Sequence, residues 1–275
     1  MFSYEGKKAI VTGAGRGIGR AIALAFARQG ADVTLAARSE GELEQVAGEV
    51  RTLGQQAWVI PTNMSDLDQG ERLIDTAKEA MGQIDVLVNN AGGGDMAPGS
   101  FGPLDETTPE GFDAIYRLNV RSPLFASIRA AKYMVEQGDG GCILNIVSID
   151  GLFPAPTEGL YGSAKAALVS LTASMAVELG RHKIRVNAIA PALIDTKMVS
   201  DWIRTDEQRI DRASFYPINR LGLPEDIAAA AVYLCSQEAE WVSGETLLVA
   251  GGQKATSDIF RWVRGHNPVP ESTRL

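Results

Sequence analysis

Short apolar runs alternate along the chain with longer segments in which apolar residues recur every three or four positions. The runs predict β-strands at Lys8–Thr12, Asp32–Ala37, Ala57–Ile60, Asp85–Val88, Gly141–Val147 and Glu245–Val249, with a further strand ending near Pro191. The periodic segments predict helices over about 18–26, 40–53, 67–81, 112–136, 160–179 and 225–235. This alternation is typical of an α/β fold. It predicts a doubly wound parallel sheet of about seven strands with helices on both faces.

A glycine-rich turn joins the first predicted strand to the first predicted helix. Its sequence is Thr12-Gly-Ala-Gly-Arg-Gly-Ile-Gly19. Glycines let the backbone approach a ligand, and the amides of a helix N-terminus favour a pyrophosphate. The spacing departs from the general G-x-G-x-x-G fingerprint but serves the same mechanism, so we predict a dinucleotide site. A turn of this kind can also be only a tight connection.

The residues after the second predicted strand bear on the choice of dinucleotide. An acidic residue there would bind the ribose 2′-hydroxyl of NAD, whereas an arginine accommodates the 2′-phosphate of NADP. The chain has Arg38 at this place, and Arg16 adds a second guanidinium within the glycine turn. Because guanidinium groups suit phosphate, NADP(H) is favoured over NAD(H). Arg38 could instead be only a solvated surface charge.

A tyrosine and a lysine on one predicted helix point to proton chemistry. Tyr161 and Lys165 are four residues apart, so they share a helix face and the ammonium can approach the phenol. A free phenol has a pKa of about 10, and a cation roughly 4 Å away contributes about 4 kcal/mol at an effective dielectric near 20. The pKa of Tyr161 would then fall by about three units, which would make it a usable proton donor and acceptor. Taken alone, such a pair can also occur by chance.

Further polar residues are expected near that pair. Ser148 follows the fifth predicted strand, and ligands of open α/β sheets bind outside the carboxyl ends of strands, where Ser148 and Tyr161 should converge. Asn119 falls within a predicted helix, where asparagine is unfavourable unless its amide has a partner or a task. The small residues Asn89-Asn-Ala-Gly92 follow the fourth strand and would let a cofactor approach.

Composition narrows the class of protein. The 275-residue chain has a net charge of −8, which argues against general binding to nucleic acid or to anionic membranes. Cys142 and Cys235 lack metal-ligand spacing, so buried reduced thiols are expected and no metal site is predicted. The N-terminus lacks the pattern of a signal peptide, and no apolar run approaches the length of a membrane span. We therefore expect a soluble cytoplasmic protein.

Several motifs occur together in the order that one family shows. They are Thr12-Gly-Ala-Gly-Arg-Gly-Ile-Gly19, Asn89-Asn-Ala-Gly92, Asn119, Ser148, Tyr161-x-x-x-Lys165 and Arg185-Val-Asn-Ala-Ile-Ala-Pro191. From Lys7 to about Gly252 the chain resembles the short-chain dehydrogenases/reductases, and its two arginines resemble those of the NADP-preferring carbonyl reductases among them. The resemblance implies a single Rossmann-like domain over 1–252, with an extension at 253–275.

The resemblance also implies a catalytic tetrad of Asn119, Ser148, Tyr161 and Lys165 around a nicotinamide dinucleotide. Tyr161 would give its proton to the substrate oxygen, and Ser148 would hydrogen-bond that oxygen. Lys165 would hold the nicotinamide ribose, and Asn119 would organise a water molecule. The expected cofactor-binding residues are Gly13, Arg16, Gly17, Ile18, Gly19, Arg38, Asn63, Met64, Asn90, Ala91, Gly92, Tyr161, Lys165, Pro191, Ile194 and Thr196.

A few positions depart from the family pattern or have a second interpretation. Ala192 stands where glycine is usual, and Ala250 where an aspartate is expected. Asn63 replaces an aspartate, which puts the adenine contact in doubt, and it is equally suited to a turn. Thr196, expected to meet the nicotinamide amide, could also cap the following helix.

The segment 194–217 is expected to form a mobile lid, because it follows the sixth strand and mixes aromatic side chains with charges. It contains Met198, Trp202, Phe215 and Tyr216. These side chains would suit a bulky or apolar substrate, or would only pack the lid on the body. Asp150 and Glu158 near the mouth would attract a cationic substrate, although exposed acids are common.

The leading hypothesis is an enzyme that reduces a ketone or aldehyde with NADPH, or oxidises the matching secondary alcohol. An NAD-dependent secondary-alcohol dehydrogenase is the alternative within the same fold, and a non-catalytic dinucleotide sensor is an alternative of another class. The partner is a small carbonyl or alcohol substrate. The long helices predicted at Phe112 to Glu136 and Tyr161 to Gly180 resemble those through which the family forms dimers and tetramers. A homotetramer or a homodimer is therefore expected.

Overall fold

The computed structural model describes residues 2–93, 97–200 and 203–253. Its strands form one sheet, in which every pairing is parallel. The strands are β1 (Lys8–Thr12), β2 (Asp32–Ala37), β3 (Ala57–Pro61), β4 (Val86–Asn89), β5 (Gly141–Ile146), β6 (Ile184–Pro191) and β7 (Thr246–Val249). The predicted parallel sheet of seven strands is thereby confirmed.

The order of the strands places a crevice in the middle of the sheet. The order is β3-β2-β1-β4-β5-β6-β7, so the chain returns from the β3 edge to place β4 beside β1. In the register, β1 pairs with β2 at Lys8↔Asp32 and with β4 at Val11↔Val88. Connections from β1 and β4 therefore leave on opposite faces of the sheet, which opens a crevice at their carboxyl ends.

Helices cover both faces of the sheet, as the doubly wound prediction requires. They are α1 (Gly17–Arg28), α2 (Glu40–Thr52), α3 (Leu67–Met81), α4 (Pro109–Tyr116), α5 (Ser122–Gln137), α6 (Gly159–Leu179), α7 (Lys197–Ser200), α8 (Asp206–Ala213) and α9 (Pro224–Cys235). One core packs α1, α2 and α9 against the sheet around Phe26 and Leu35. A second core packs α3, α5 and α6 against the sheet around Leu87 and Ile143. Burial of these apolar side chains is the main favourable term in folding.

The prediction of one long α-helix over 112–136 is wrong. It is split into α4 and α5 by a π-helical turn at Arg117–Arg121. Pro123 has no amide to donate to the carbonyl of Asn119, and the Asn119 side chain donates to the carbonyl of Ile115 at 3.0 Å. These two features disturb the regular ladder of hydrogen bonds, and such π turns are frequent at functional sites.

Both cysteines are buried and free, which confirms the expectation of reduced thiols. In the described part of the chain, one helical segment, Gly159–His182, is long and apolar enough to cross a membrane by length and composition. In the structure this segment includes α6, which packs against the sheet through Leu168 and Met175. About 33% of the apolar window is buried inside the structure.

Candidate active site

The glycine turn lies at the carboxyl ends of β1 and β4 and is closely packed. Gly13 and Gly17 adopt positive φ values of 66° and 55°, which favour glycine. A Cβ atom on Gly19 would lie 2.2 Å from the carbonyl oxygen of Gly13 and 2.5 Å from Nδ2 of Asn90. The turn therefore requires glycine at position 19, and it keeps the start of α1 close to the crevice.

Thr12 and Asn90 connect the glycine turn to the end of β4. The Thr12 hydroxyl accepts from the amides of Asn90 and Ala91, each at 3.0 Å. Nδ2 of Asn90 donates to the carbonyl of Thr12 at 2.9 Å. The residue before α1, Arg16, provides no side-chain cap, so the first amides of the helix keep their capacity to bind an anion. Glycine backbone and uncapped amides are the groups that a pyrophosphate needs.

The two arginines proposed for a phosphate lie in different surroundings. Arg38 is exposed and makes no hydrogen bond or ion pair within the described residues. Nη1 of Arg16 lies 3.6 Å from Oε1 of Glu42 on α2. The Glu42 carboxylate also contacts the turn, because a Cβ on Gly15 would lie 3.1 Å from its Oε2. Sequence reasoning missed Glu42, since nothing in its local pattern shows that α2 brings it to the glycine turn.

Asn63 and Met64 follow β3, and the side chain of each makes a contact within the protein. Oδ1 of the exposed Asn63 accepts from the amide of Ser65 at 3.1 Å, which is the turn role considered for it. The Met64 side chain is buried and faces Gly70 of α3, with 3.5 Å between Cε and a Cβ built there. A cofactor contact of Met64 would therefore come from its backbone.

The turn after β5 packs directly on the first turns of α6. A Cβ on Gly162 would lie 2.7 Å from the carbonyl oxygen of Asp150. A Cβ on Gly151 would lie 2.8 Å from the carbonyl carbon of Lys165. This backbone contact brings the buried Ser148 next to Tyr161, as their positions at the carboxyl edge of the sheet led us to expect.

Lys165 is held under Tyr161 by burial and by a backbone carbonyl. Its Nζ donates to the carbonyl of Ile146 at 3.0 Å and lies 5.5 Å from the centroid of the Tyr161 ring. Burial lowers the pKa of Lys165 to about 8, because the charged ammonium is disfavoured away from water. The lysine is therefore poised to exchange a proton near neutral pH.

Asn119 meets Lys165 at the turn that follows β4. A Cβ on Gly92 would lie 3.0 Å from both Nζ of Lys165 and Oδ1 of Asn119. The Asn119 side chain accepts from the amide of Gly93 at 3.2 Å and donates to its carbonyl at 3.0 Å. The structure thus brings the four predicted tetrad residues to one place, and their catalytic roles stay predictions.

The electrostatics of Tyr161 differ from the expectation based on Lys165. Burial is the largest cause and raises the pKa of Tyr161 well above its usual value, and the Asp150 carboxylate raises it further. A hydrogen bond with Ser148 acts in the opposite direction. The lowered pKa predicted from the pair of Tyr161 and Lys165 is therefore wrong for the protein by itself. Desolvation and a nearby carboxylate outweigh a lysine whose own charge is disfavoured by burial.

The segment after β6 reaches back toward the glycine turn. β6 ends at Pro191, and Ile194 forms a parallel bridge with Gly222. Cγ2 of Thr196 lies 3.3 Å from a Cβ built on Gly17. The start of the predicted lid is therefore close to the proposed pyrophosphate site.

The aromatic residues of the predicted lid, where they are described, pack in a cluster formed by the lid itself and the residues that flank it. Tyr216 is buried beside Leu221, and its hydroxyl accepts from the amide of Leu193 at 3.3 Å. Phe215 lies against the same cluster. Trp202 and the side chain of Met198 lie outside the described residues, as do residues 254–275 of the proposed extension.

Two contacts of Tyr161 and Ser148 were not foreseen. The ring of Phe101 lies 6.0 Å from the ring of Tyr161 between centroids. Ser148 donates to Oδ2 of Asp150 at 2.9 Å. The spacing Ser-x-Asp could have signalled the second contact, because serine and aspartate two residues apart commonly bond within a turn. The loop that holds Phe101 carries no comparable signal.

The fold and the site define a nicotinamide-dinucleotide oxidoreductase that acts on alcohol or ketone groups. A family model described as enoyl-(acyl carrier protein) reductase matches residues 13–254, and the chain belongs to the short-chain dehydrogenase/reductase family. It is 40% identical to 7α-hydroxysteroid dehydrogenase of Escherichia coli, covering 90% of this chain and 94% of that protein. It is 36% identical to L-rhamnose 1-dehydrogenase (NAD(P)⁺) of a Sphingomonas species, covering 92% and 98%.

Solved structures agree with the family and with the fold. A 7α-hydroxysteroid dehydrogenase complexed with NADH and 7-oxo-glycochenodeoxycholic acid superposes with a TM-score of 0.84 at 40% identity, covering 91% of this chain and 95% of that one. A protein from Sinorhizobium meliloti that is proposed to be a short-chain alcohol dehydrogenase superposes with a TM-score of 0.86 at 33% identity, covering 93% of this chain and 99% of that one. The sheet and its helices are therefore those of the family.

Proposed function

We propose that this protein is an NADP(H)-dependent carbonyl reductase that interconverts a ketone and the matching secondary alcohol. The observation that supports this proposal best is the backbone contact of the Ser148 turn with α6, which places Ser148, Tyr161 and Lys165 together. The site lies beside the crevice at the ends of β1 and β4, where the uncapped start of α1 can bind a pyrophosphate. The cofactor, when bound, supplies or accepts the hydride.

Each tetrad residue has a task that its surroundings support. Tyr161 holds the proton that the carbonyl oxygen receives, and its raised pKa keeps it in this protonated form. Ser148 orients the same oxygen by a hydrogen bond, for which its hydroxyl proton turns from Asp150 to the substrate. Lys165, with a pKa of about 8, returns a proton to Tyr161 and binds the nicotinamide ribose. Asn119 keeps the turn at Gly93 in place and organises the water that supplies protons.

The preference for NADP(H) rests on the adenosine end of the site. Arg38 is an exposed guanidinium with no protein partner in the described part of the chain, so a 2′-phosphate would not have to displace one. Arg16 supplies a second guanidinium from the glycine turn. The remaining proposed cofactor contacts are those of Gly13, Gly17, Ile18, Gly19, Asn63, Met64, Asn90, Ala91, Gly92, Pro191, Ile194 and Thr196.

A second candidate is an NAD-dependent secondary-alcohol dehydrogenase. The observation in its favour is the Glu42 carboxylate, which lies against Gly15 and pairs with Arg16. A carboxylate there can accept a hydrogen bond from a ribose hydroxyl, and it repels a 2′-phosphate. The 7α-hydroxysteroid dehydrogenase structure contains NADH, and the rhamnose dehydrogenase is named for both cofactors. A non-catalytic dinucleotide sensor is the least favoured candidate, because it has no use for Ser148 beside Tyr161.

Assembly and location complete the proposal. Large apolar side chains are exposed on α4 and α5, where a second copy would cover them in a homodimer or homotetramer. They are Phe112, Phe125, Ile128 and Val135. We propose a single domain over 1–252 with a lid at 194–217, located in the cytoplasm.

The experiment that tests this function follows NADPH consumption by absorbance against ketones graded by size and charge, with NADH in parallel. We expect turnover with NADPH, and Tyr161→Phe should reduce it by about 10²–10⁴-fold with NADPH affinity nearly intact, since the proton donor alone is lost. Near-normal turnover in Tyr161→Phe would exclude the proton-donor role. Faster turnover with NADH would favour the NAD-dependent alternative, and cofactor binding without turnover would favour the sensor.

A further inference from the structure

The single proton of the Ser148 hydroxyl is already engaged within the protein. Ser148 donates to Oδ2 of Asp150 at 2.9 Å and accepts from the amide of Asp150 at 3.2 Å. A hydroxyl has one proton and two lone pairs, so the remaining capacity of Ser148 is that of an acceptor. The Ser148 hydroxyl therefore holds the Asp150 carboxylate at the site beside Tyr161.

The Asp150 carboxylate is fixed in place rather than free at the surface. Its residue is half-buried, and its backbone touches the first turn of α6, where a Cβ on Gly162 would lie 2.7 Å from its carbonyl oxygen. Among the described residues, Asp150 forms no ion pair. Its negative charge is therefore not neutralised by the protein and acts on the groups around it.

The groups that face this charge come from several elements. Tyr161 and Glu158 lie at the start of α6, and the pKa of each is raised first by burial and then by Asp150. The pKa of Tyr216, in the segment after β6, is raised mainly by burial and only weakly by Asp150. Lys165, below the Tyr161 ring, is the cation of this cluster. The pKa of Tyr161 is thus raised by two carboxylates, while the nearby lysine has a lowered pKa of its own.

We propose that Asp150 is a positioning residue of the active site. Its carboxylate is anchored by the Ser148 hydroxyl, and its negative charge keeps Tyr161 in the proton-donating form up to alkaline pH. The proposal rests on the proposed function. In reduction, bound NADPH would supply the hydride of the new C–H bond and leave as NADP⁺, and the Tyr161 proton would form the new O–H bond. The phenolate left behind is destabilised by the Asp150 charge, so it regains a proton readily.

The sign of the pH effect follows from the charge. Alcohol oxidation needs the Tyr161 phenolate as base, so its kcat/KM rises with pH until Tyr161 is deprotonated. Removing the negative charge in Asp150→Asn makes the phenolate easier to form. The rising limb of the oxidation profile should move to lower pH by about half a unit or more. At high pH, kcat/KM for carbonyl reduction falls as Tyr161 loses its proton. This fall should also move to lower pH in Asp150→Asn, because Tyr161 governs both reactions.

The test compares pH profiles of kcat/KM for wild type, Asp150→Asn, Asp150→Glu and the matched control Glu158→Gln. We expect a shift in Asp150→Asn, little shift in Asp150→Glu, and a smaller shift in Glu158→Gln, which removes a carboxylate that has no bond to Ser148. If Asp150 had only a structural role, Asp150→Asn would lower kcat without moving the rising limb of the oxidation profile. An unmoved limb in Asp150→Asn, or an equal shift in Glu158→Gln, would overturn the proposal. Asp150→Ser replaces Asp150→Asn if that variant does not fold.

A second measurement works without turnover. Protein labelled with fluorotyrosine is titrated by fluorine NMR, and the Tyr161 resonance is the one absent from Tyr161→Phe. Its midpoint should be lower in Asp150→Asn than in wild type, and equal midpoints would overturn the proposal. Absence of turnover in wild type would count against the proposed carbonyl reductase alone, because the NMR titration would still decide the role of Asp150.

Discussion

The two ends of the proposed dinucleotide site are built in opposite ways. At the catalytic end, Lys165 is buried, and the Ser148 turn touches α6 through backbone atoms. At the adenosine end, Arg38 is exposed, and Arg16 pairs with Glu42 at the surface. The first end is held by packing that allows no larger side chain, whereas the second relies on charges in water. We infer that the chemistry is fixed by the core, while cofactor preference can change with few substitutions.

Among the changes that leave the tetrad side chains intact, the largest expected effect comes from adding one methyl group at the catalytic end. In Gly162→Ala the new Cβ would lie 2.7 Å from the carbonyl oxygen of Asp150, so the turn that holds Ser148 must shift. A displacement of about 1 Å at a reacting group can lower turnover about 100-fold. Turnover and urea denaturation of the purified variant would measure the loss.

A matched control for this change lies in α2. Gly48 is an exposed helical glycine, and nothing lies within 4 Å of a Cβ built there. Gly48→Ala should stabilise the protein by about 0.5–1 kcal/mol, because alanine favours the helix, and should leave turnover unchanged. Equal turnover in the two variants would show that the contact of the Ser148 turn with α6 is not tight.

A smaller effect is expected at the adenosine end. Arg38→Ala should weaken NADPH binding by about 1.5–3 kcal/mol, through loss of a charge-assisted phosphate contact, and should affect NADH much less. Fluorescence titration with each cofactor measures the difference. Arg51→Ala removes an exposed arginine that pairs with Glu44 elsewhere on α2 and should change neither affinity. Equal weakening of both cofactors by Arg38→Ala would refute the phosphate contact.

The smallest effect concerns stability and follows from the burial of Lys165. Its pKa falls from 10.5 to about 8 on folding, which corresponds to roughly 3 kcal/mol of destabilisation at pH 7. Lys165→Met removes this penalty but leaves the Ile146 carbonyl without its donor, which costs about 1–2 kcal/mol. The variant should therefore be inactive, yet more stable by about 1–2 kcal/mol at pH 7.

The stability advantage of Lys165→Met should depend on pH. Between pH 8 and about 10.5 the unfolded chain binds more protons at this lysine than the folded protein does, so wild-type stability gains from rising pH. The advantage of Lys165→Met should therefore shrink over this range. Urea denaturation at pH 7 and pH 10 measures it, with the exposed Lys132→Met as the control. An advantage that stays constant with pH would contradict the buried charge.

Much of the fold could be predicted because its signals are local. Apolar runs and helical periodicity predicted the strands and most helices within one or two residues, and β4 is displaced by only one. The prediction failed at 112–136, where the π turn depends on how Asn119 and Pro123 interrupt the hydrogen bonds of neighbouring turns. Periodicity of apolar residues does not report that interruption.

The sequence by itself determined the alternating α/β order, the glycine turn and the identity of the residues that meet at the carboxyl edge of the sheet. Tertiary structure alone decided that Glu42 approaches Arg16, that the Ser148 turn packs on α6, and that the pKa of Tyr161 is raised. The physical reason is that a strand or a helix follows from neighbours along the chain. Desolvation and the distance between charges depend on which segments pack together in space.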